Sequence, residues 1–247
     1  MPARMPPSVA ARMPPSVAGL HLEKVTKIYH KGDSEIRALD GVDLDIQAGE
    51  FLTVVGPSGS GKTTFLNILG CLDSPTDGRI VYDGRELSGL GEKERSAYRR
   101  ERISFVFQSY NLIPVLTVRE NVELPLVIER TLDSREIRRR ADEMIAAVGL
   151  RGMEDRFPRE LSGGQEQRVA IARALVKEPL VILADEPTAN LDSHTAEEIV
   201  DLMKGINAQR GSTFVFSTHD RLVMEHARRI VTIRDGRVTA DERRNGS

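Results

Sequence analysis

The sequence predicts an α/β domain with a mostly parallel sheet and helices on both sides, and three observations predict it. From about residue 20 onward, short apolar runs alternate with stretches of helical periodicity, the rhythm of strand–helix–strand units. Leu180–Leu183 is apolar at every position, as in a strand buried on both faces. Phe51–Val55 is a similar run, and it leads directly into a glycine-rich stretch.

Taken in order, Leu20–Val25 and Leu39–Ile46 alternate like strands, and Phe51–Val55 reads as a buried strand. Thr64–Leu72 reads as a helix. Arg79–Tyr82 followed by Asp83-Gly84 reads as a strand entering a tight turn. From about Glu92 to Val148 the pattern is mostly helical. Thr117 and Glu120 form a T-x-x-E capping box, and a second helix runs from Ser134 to Val148 and stops at Gly149. Roughly 92 to 161 is expected to be a helical lobe inserted into the α/β core, although its early part includes the strand Ile103–Phe107. The α/β rhythm then returns. Ala196, Ile199, Met203 and Ile206 recur at helical spacing, and Ser212–Phe216 and Ile230–Ile233 are further strands.

The chain has 247 residues, 40% hydrophobic and 29% charged, enough for one large domain with a substantial core. Ala3–Ala10 reads ARMPPSVA and Ala11–Ala18 repeats it. Four prolines in those sixteen residues argue against a helix or a central strand, so 1–19 is expected to be a disordered tail preceding a domain at 20–247. A net charge of -2 gives no electrostatic footprint for nucleic acid, and no nucleic-acid partner is expected. Arg138, Arg139 and Arg140 lie beside Glu136 and Asp142, as on a solvated helix face. The single cysteine, Cys71, precludes an intramolecular disulfide and sits in an apolar run, which suits a packing role in a reducing compartment. No segment reaches the ~18 consecutive apolar residues of a membrane span, and the N-terminal residues lack the apolar core of a secretory leader.

Chemistry enters at Gly56-Pro57-Ser58-Gly59-Ser60-Gly61-Lys62-Thr63, which fits G-x-x-x-x-G-K-[ST] between an apolar strand and a helix. A triphosphate carries several negative charges that must be met at close range. Glycines let the backbone approach, so that N–H groups form a nest for the phosphates. The helix beginning near Lys62 adds its positive dipole end. Lys62 brings a point charge to the β and γ phosphates, Thr63 offers a hydroxyl to Mg²⁺, and Thr64 is the next nucleotide contact on that helix. This is the phosphate-binding loop of a P-loop NTPase core. It does not separate ATPases from GTPases, kinases or helicases.

Asp185-Glu186 closes the apolar run Leu180–Ala184, at the strand end where ligands bind in open α/β sheets. Asp185 can hold Mg²⁺ and Glu186 can polarise the attacking water. Because adjacent strand residues point to opposite faces, the two acids do different jobs. Leu161-Ser162-Gly163-Gly164-Gln165 precedes a helix at Glu166–Val176. Ser162 and Gln165 match an S-x-x-Q capping box, and the paired glycines suit an anion approaching a helix N-terminus.

This pentapeptide resembles the signature of ABC ATPases, and it falls before the acidic strand as in that family. The resemblance extends over nearly the whole chain from about residue 20. It implies an N-terminal antiparallel β part beside the main sheet. It implies that Gln108 is the glutamine that contacts Mg²⁺ and the attacking water, that His219 is the switch histidine near the γ-phosphate, and that Ala189–Asp192 is the loop called the D-loop. Tyr29 resembles the aromatic that stacks on adenine. The catalytic set is then Lys62, Gln108, Glu186 and His219, with Ser162, Gly163, Gly164 and Gln165 facing the ATP held by a second subunit in a head-to-tail dimer. Glu166 departs from the family, where glutamine is common.

Gly70–Gly78 and Pro187–Asp192 resemble the ATPases of macrolide-export and lipoprotein-release systems. That implies a membrane partner, ATP and Mg²⁺ as cofactors, and a cytoplasmic place on the inner face of a bacterial membrane. An ABC ATPase working outside transport, in DNA repair or translation, is the alternative. It would carry a long coiled coil or two cassettes. Here Lys62 and Ser162 are separated by 100 positions without heptads, and the chain has one cassette.

Overall fold

The computed structural model describes residues 19–32 and 34–244; the duplicated segment 3–18 lies outside the described residues. Two sheets organise the chain. The smaller is antiparallel, in the order β2-β1-β4-β5, from β1 (Leu20–Lys31), β2 (Ser34–Ile46), β4 (Asp77–Tyr82) and β5 (Arg85–Glu86). The larger has six strands in the order β10-β9-β3-β8-β7-β6. These are β3 (Phe51–Val55), β6 (Ile103–Phe107), β7 (Val181–Asp185), β8 (Thr213–Ser217), β9 (Arg229–Arg234) and β10 (Arg237–Arg243). All of its pairs are parallel except β9 with β10.

The apolar strands are covered on both faces. Along β7, Val181 and Leu183 join the core on the side of helix α1 (Lys62–Leu69) and the small sheet, while Ile182 and Ala184 join the opposite core. The opposite core is roofed by α3 (Val118–Glu129), α4 (Ser134–Ala147), α5 (Gly163–Leu175) and α6 (Ser193–Arg210). Phe214 and Phe216 of β8 stack there on each other, and Phe51 of β3 packs tilted against both. A run with no polar position therefore becomes a central strand, because neither of its faces meets water.

The segment expected to be a helical lobe contains α2 (Glu92–Arg102), β6, α3 and α4. β6 belongs to the main sheet, beside β7. Helices α3 and α4 pack on each other and on α5. At 12 and 14 residues they are far short of a coiled-coil arm. Thr117 caps α3 with its side chain, and Glu120 closes the box. The fully buried Asn121 ties down the preceding loop: its amide donates to the Ile113, Leu116 and Thr117 carbonyls and its oxygen accepts from Ile113 N–H.

Several boundaries differ from the sequence expectation. β1 continues to Lys31 because register shifts between Leu22 and Ile28 break the alternation without ending the pairing. The first helix spans Lys62–Leu69 rather than Thr64–Leu72. It stops at Gly70, where a Cβ would lie 2.1 Å from the Phe105 ring, and Cys71 then turns left-handed with φ 54. The signature helix begins at Gly163 instead of Glu166, and the helix at Ser134 ends at Ala147. Helix α7 (Arg221–His226) and β10 were not expected. The first is too short to show a period, and the second is a half-exposed edge strand.

Candidate active site

Parallel register gathers the expected residues. Val54 of β3 pairs with Ser217 of β8, Ser217 with Asp185 of β7, and Asp185 with Phe107 of β6. The segments that leave these four strands carry Gly56–Thr63, His219, Glu186 and Gln108. All of them start from one edge of one sheet, the edge where ligands bind in open α/β folds.

The loop between β3 and α1 is built by close backbone approach. A Cβ on Gly61 (φ 107) would sit 2.4 Å from the Ala38 carbonyl oxygen, so only glycine fits the cap of α1. No side chain caps the first turn, which leaves its N–H groups and the positive helix end for an anion. Ser60 is anchored by Gly236 N–H donating to its carbonyl, and its own hydroxyl is buried without a partner. Lys62 Nζ donates to the carbonyls of Gly56 (2.8 Å) and Pro57 (3.0 Å), so the ammonium is folded back over its own glycine-rich loop.

Asp185 is the last residue of β7, and strand parity puts its side chain on the face covered by α1. Burial raises its carboxyl above the usual range, and the nearby Glu186 adds to the rise, while a Ser217 hydrogen bond and the Lys62 charge oppose it. Glu186 does not continue the strand as expected. It turns left-handed with φ 47, and its N–H donates to the Ser217 carbonyl. The two acids are separated by this turn rather than by pleat alternation. A non-glycine residue held there costs of order 1–3 kcal/mol and persists where its surroundings impose it.

The surroundings are explicit. His219 Nδ1–H donates to Glu186 Oε1 (2.7 Å) and Thr218 Oγ1–H donates to Oε2 (2.9 Å). The carboxylate is mostly shielded, at 18% exposure, while the imidazole stands 80% exposed. Thr218 is fully buried, and its hydroxyl also accepts from Asp220 N–H. Asp220 in turn accepts from the Thr188 hydroxyl and caps α7. Sequence reasoning missed Thr218, Thr188 and Asp220. Their one signal was position, beside His219 and in the turn after Glu186.

Gln108 lies just beyond β6 with an exposed side chain, and its carbonyl accepts from Asn190 Nδ2. The loop that follows is held by Arg173, which donates to the Tyr110 and Asn111 carbonyls. Tyr29 lies on β1, 37% exposed, and its phenol donates to Asp73 Oδ2. Thr64, on α1, interacts with the same phenol.

The signature residues stand apart from this cluster. Ser162 caps α5, with Gln165 N–H donating to its Oγ and Ser162 N–H donating to Gln165 Oε1. With Gly149, Met153, Arg168, Thr195 and Glu198, the signature lines a separate cleft of about 350 Å³. Both glycines have an intramolecular reason. A Cβ on Gly164 would meet Thr195 Cγ2 at 2.4 Å, and one on Gly163 would meet the Tyr110 hydroxyl at 3.1 Å. Glu166 lies near that phenol, and burial raises its carboxyl.

A phosphate nest at a helix N-terminus, an acid at the end of the next strand but one, and a histidine-held glutamate beside it define a P-loop nucleotide-binding protein. Comparison with known proteins narrows the class. Residues 39–189 match the family described as ABC transporter. An uncharacterized ABC transporter ATP-binding protein of Thermotoga maritima is 48% identical over 91% of this chain and 95% of its own length. The macrolide export ATP-binding/permease protein MacB of Brucella melitensis is 47% identical over 90% of this chain, which spans 34% of that relative. A dimeric, post-hydrolysis structure of the ATP-binding cassette MJ0796 bound to ADP and Pi superposes with a TM-score of 0.84 at 46% identity, covering 92% of this chain and all of that one. The chain belongs to the ABC transporter family. It is an ATP-binding ATPase subunit of that family.

Proposed function

We propose that the chain hydrolyses ATP as a head-to-tail dimer and powers a bacterial membrane partner from the cytoplasmic face. The observation that carries the reading is the Glu186 carboxylate, fixed by His219 and Thr218 at the sheet edge that also carries the phosphate loop. In this reading the backbone of Gly56–Thr64 cradles the phosphates and Lys62 swings from the Gly56 and Pro57 carbonyls onto the β and γ oxygens. Tyr29 receives the adenine. Glu186 accepts a proton from the attacking water. His219, its Nδ1–H spent on Glu186, turns Nε2 toward the γ-phosphate, to which it donates when both ring nitrogens carry a proton. Ser162, Gly163, Gly164 and Gln165 meet the phosphate held by the second subunit, which suits a cleft that neither the phosphate loop nor Glu186 lines.

The donor set fits Mg²⁺. Among the described residues no group of three or more His, Cys, Asp or Glu side chains could hold a metal alone. Mg²⁺ is instead bound by one or two carboxylates together with substrate phosphates and water. Thr63, Asp185 and Gln108 would hold it, and a cation removes the cost of ionising the half-buried Asp185. Held by these residues, Mg²⁺ would supply positive charge against the nucleotide's phosphates.

The membrane partner is supported by the MacB relative, whose cassette is joined to a permease, and export, lipoprotein release or mechanical work is the proposed output. No helix among the described residues is long and apolar enough to cross a membrane. Work in DNA repair is disfavoured by the short helices between Lys62 and Ser162.

Glu186→Gln tests the reading. The variant should bind ATP as the parent does, lose about 10²–10⁴-fold in phosphate release, and accumulate as an ATP-held dimer that co-purifies with a membrane protein. Normal turnover would remove Glu186 from its role. Capture of ribosomes or DNA-bound proteins without a membrane protein would remove the transport reading and leave the ATPase standing.

A further inference from the structure

The turn after α1 reaches back to β1 and grips the aromatic side chain proposed to receive adenine. Asp73 sits four residues beyond the end of α1, and its carboxylate serves three partners. Oδ2 accepts from the Tyr29 phenol at 2.8 Å, and Oδ1 accepts from Lys27 Nζ at 2.6 Å and from Ser74 N–H at 2.7 Å. Lys27 Nζ also donates to the Ser74 carbonyl and lies 4.9 Å from the centroid of the Tyr29 ring. The lysine side chain is only 12% exposed, and its ammonium occupies one face of the ring. Tyr29 itself remains 37% exposed, which leaves the opposite face for a base.

The turn is stapled at both ends. Leu72 and Asp73 N–H donate to the Asn67 carbonyl within α1, and Thr76 N–H donates to the Thr26 carbonyl of β1, while Ile28 N–H donates to Thr76 Oγ1. The helix whose N-terminus opens on the phosphate loop therefore carries, at its other end, the carboxylate that orients the ring.

We propose that Asp73, with Lys27, is the positioning pair that presets Tyr29 as the adenine platform, so that base affinity is built by the turn after α1. This rests on the reading of Tyr29 given under Proposed function. The pair acts only through the ring. A ring held in one orientation loses less freedom when a base stacks on it, and Lys27 needs Asp73 because a nearly buried ammonium must be paired.

The test is a calorimetric titration of the full chain with Mg²⁺–ATP and, separately, with inorganic tripolyphosphate, which carries the phosphates without a base. Asp73→Ala and Tyr29→Phe should each raise the Kd for ATP about three- to tenfold, and the double variant should be no weaker than the weaker single, as for groups acting as one unit. Tripolyphosphate should bind all of them as it binds the parent. Tyr29→Phe keeps the ring and the fold, so it guards against damage from Asp73→Ala. If Tyr29→Ala weakens ATP while Asp73→Ala and Tyr29→Phe do not, the positioning role is overturned and the adenine role of Tyr29 stands. If Tyr29→Ala leaves ATP binding unchanged, the adenine role itself falls. Equal losses for ATP and tripolyphosphate would make Asp73 a structural residue and overturn the inference.

Discussion

The sheet edge that carries Glu186 and the helix start that carries Ser162 are both glycine-flanked and both face nucleotide phosphate in the proposed dimer, yet they are held differently. At the sheet edge local rules are broken. Glu186 is left-handed, Asp185 is pushed up by burial, and the Ser60 hydroxyl is buried without a partner. At the helix start local rules are kept. Ser162 and Gln165 cap each other, a Cβ on Gly164 would collide with Thr195, and one on Gly163 would crowd the Tyr110 hydroxyl. Cost concentrates where bonds are broken. The surface proposed to meet another subunit's nucleotide is instead a preformed, capped helix end.

The contrast can be broken by mutation. The largest effect in binding should come from Lys62→Ala. It removes a charged donor worth ~1.5–3 kcal/mol, or about 10–100-fold in ATP affinity; a calorimetric titration with an unchanged Kd would end the assignment. Gly164→Ala should destabilise by ~1–3 kcal/mol through overpacking against Thr195, measured by urea unfolding. Adding Thr195→Ser, which deletes the opposing methyl and keeps the hydroxyl bonded to Asp192, should restore most of the loss. Without that rescue, Gly164 is not a packing glycine.

Ser162→Ala should cost only ~0.5 kcal/mol, the low end for an N-cap, because its Oγ–N distance is a long 3.4 Å. If the variant loses as much monomer affinity for ATP as Lys62→Ala does, the two regions are not separable within one chain. The finest difference is in pH. The folded carboxyl of Asp185 lies above its unfolded value, so its ionisation opposes folding. That penalty is absent at pH below the unfolded value, grows as pH rises, and is complete above the folded pKa. Asp185→Asn should therefore raise Tm slightly near pH 7 and give no gain near pH 3, while losing Mg²⁺-dependent ATP binding. A Tm gain of equal size at both pH values would show that charge is not its cause.

Much of this was legible along the chain. G-x-x-x-x-G-K-T with its strand and helix, the capping boxes at Thr117 and Ser162, and the apolar run before Asp185 are local patterns, and local sterics and hydrogen bonding determine them. The sequence by itself thus determined the class of fold and the N-caps at Thr117 and Ser162, while other helix ends moved by one to three residues. The resemblance already put His219 on Glu186, and only the tertiary structure decided that Thr218 holds it as well. Thr218 and His219 meet it because β7 and β8 are parallel neighbours, and a lone threonine after a strand has no periodic signature. The same holds for Asp73 and Tyr29, which are 44 positions apart and are brought together by a turn folding back onto β1. It holds for Gly164 and Thr195 too, whose contact depends on where α5 and α6 pack. Long-range pairing and packing depend on the whole sheet and its two cores, and no window of sequence contains them.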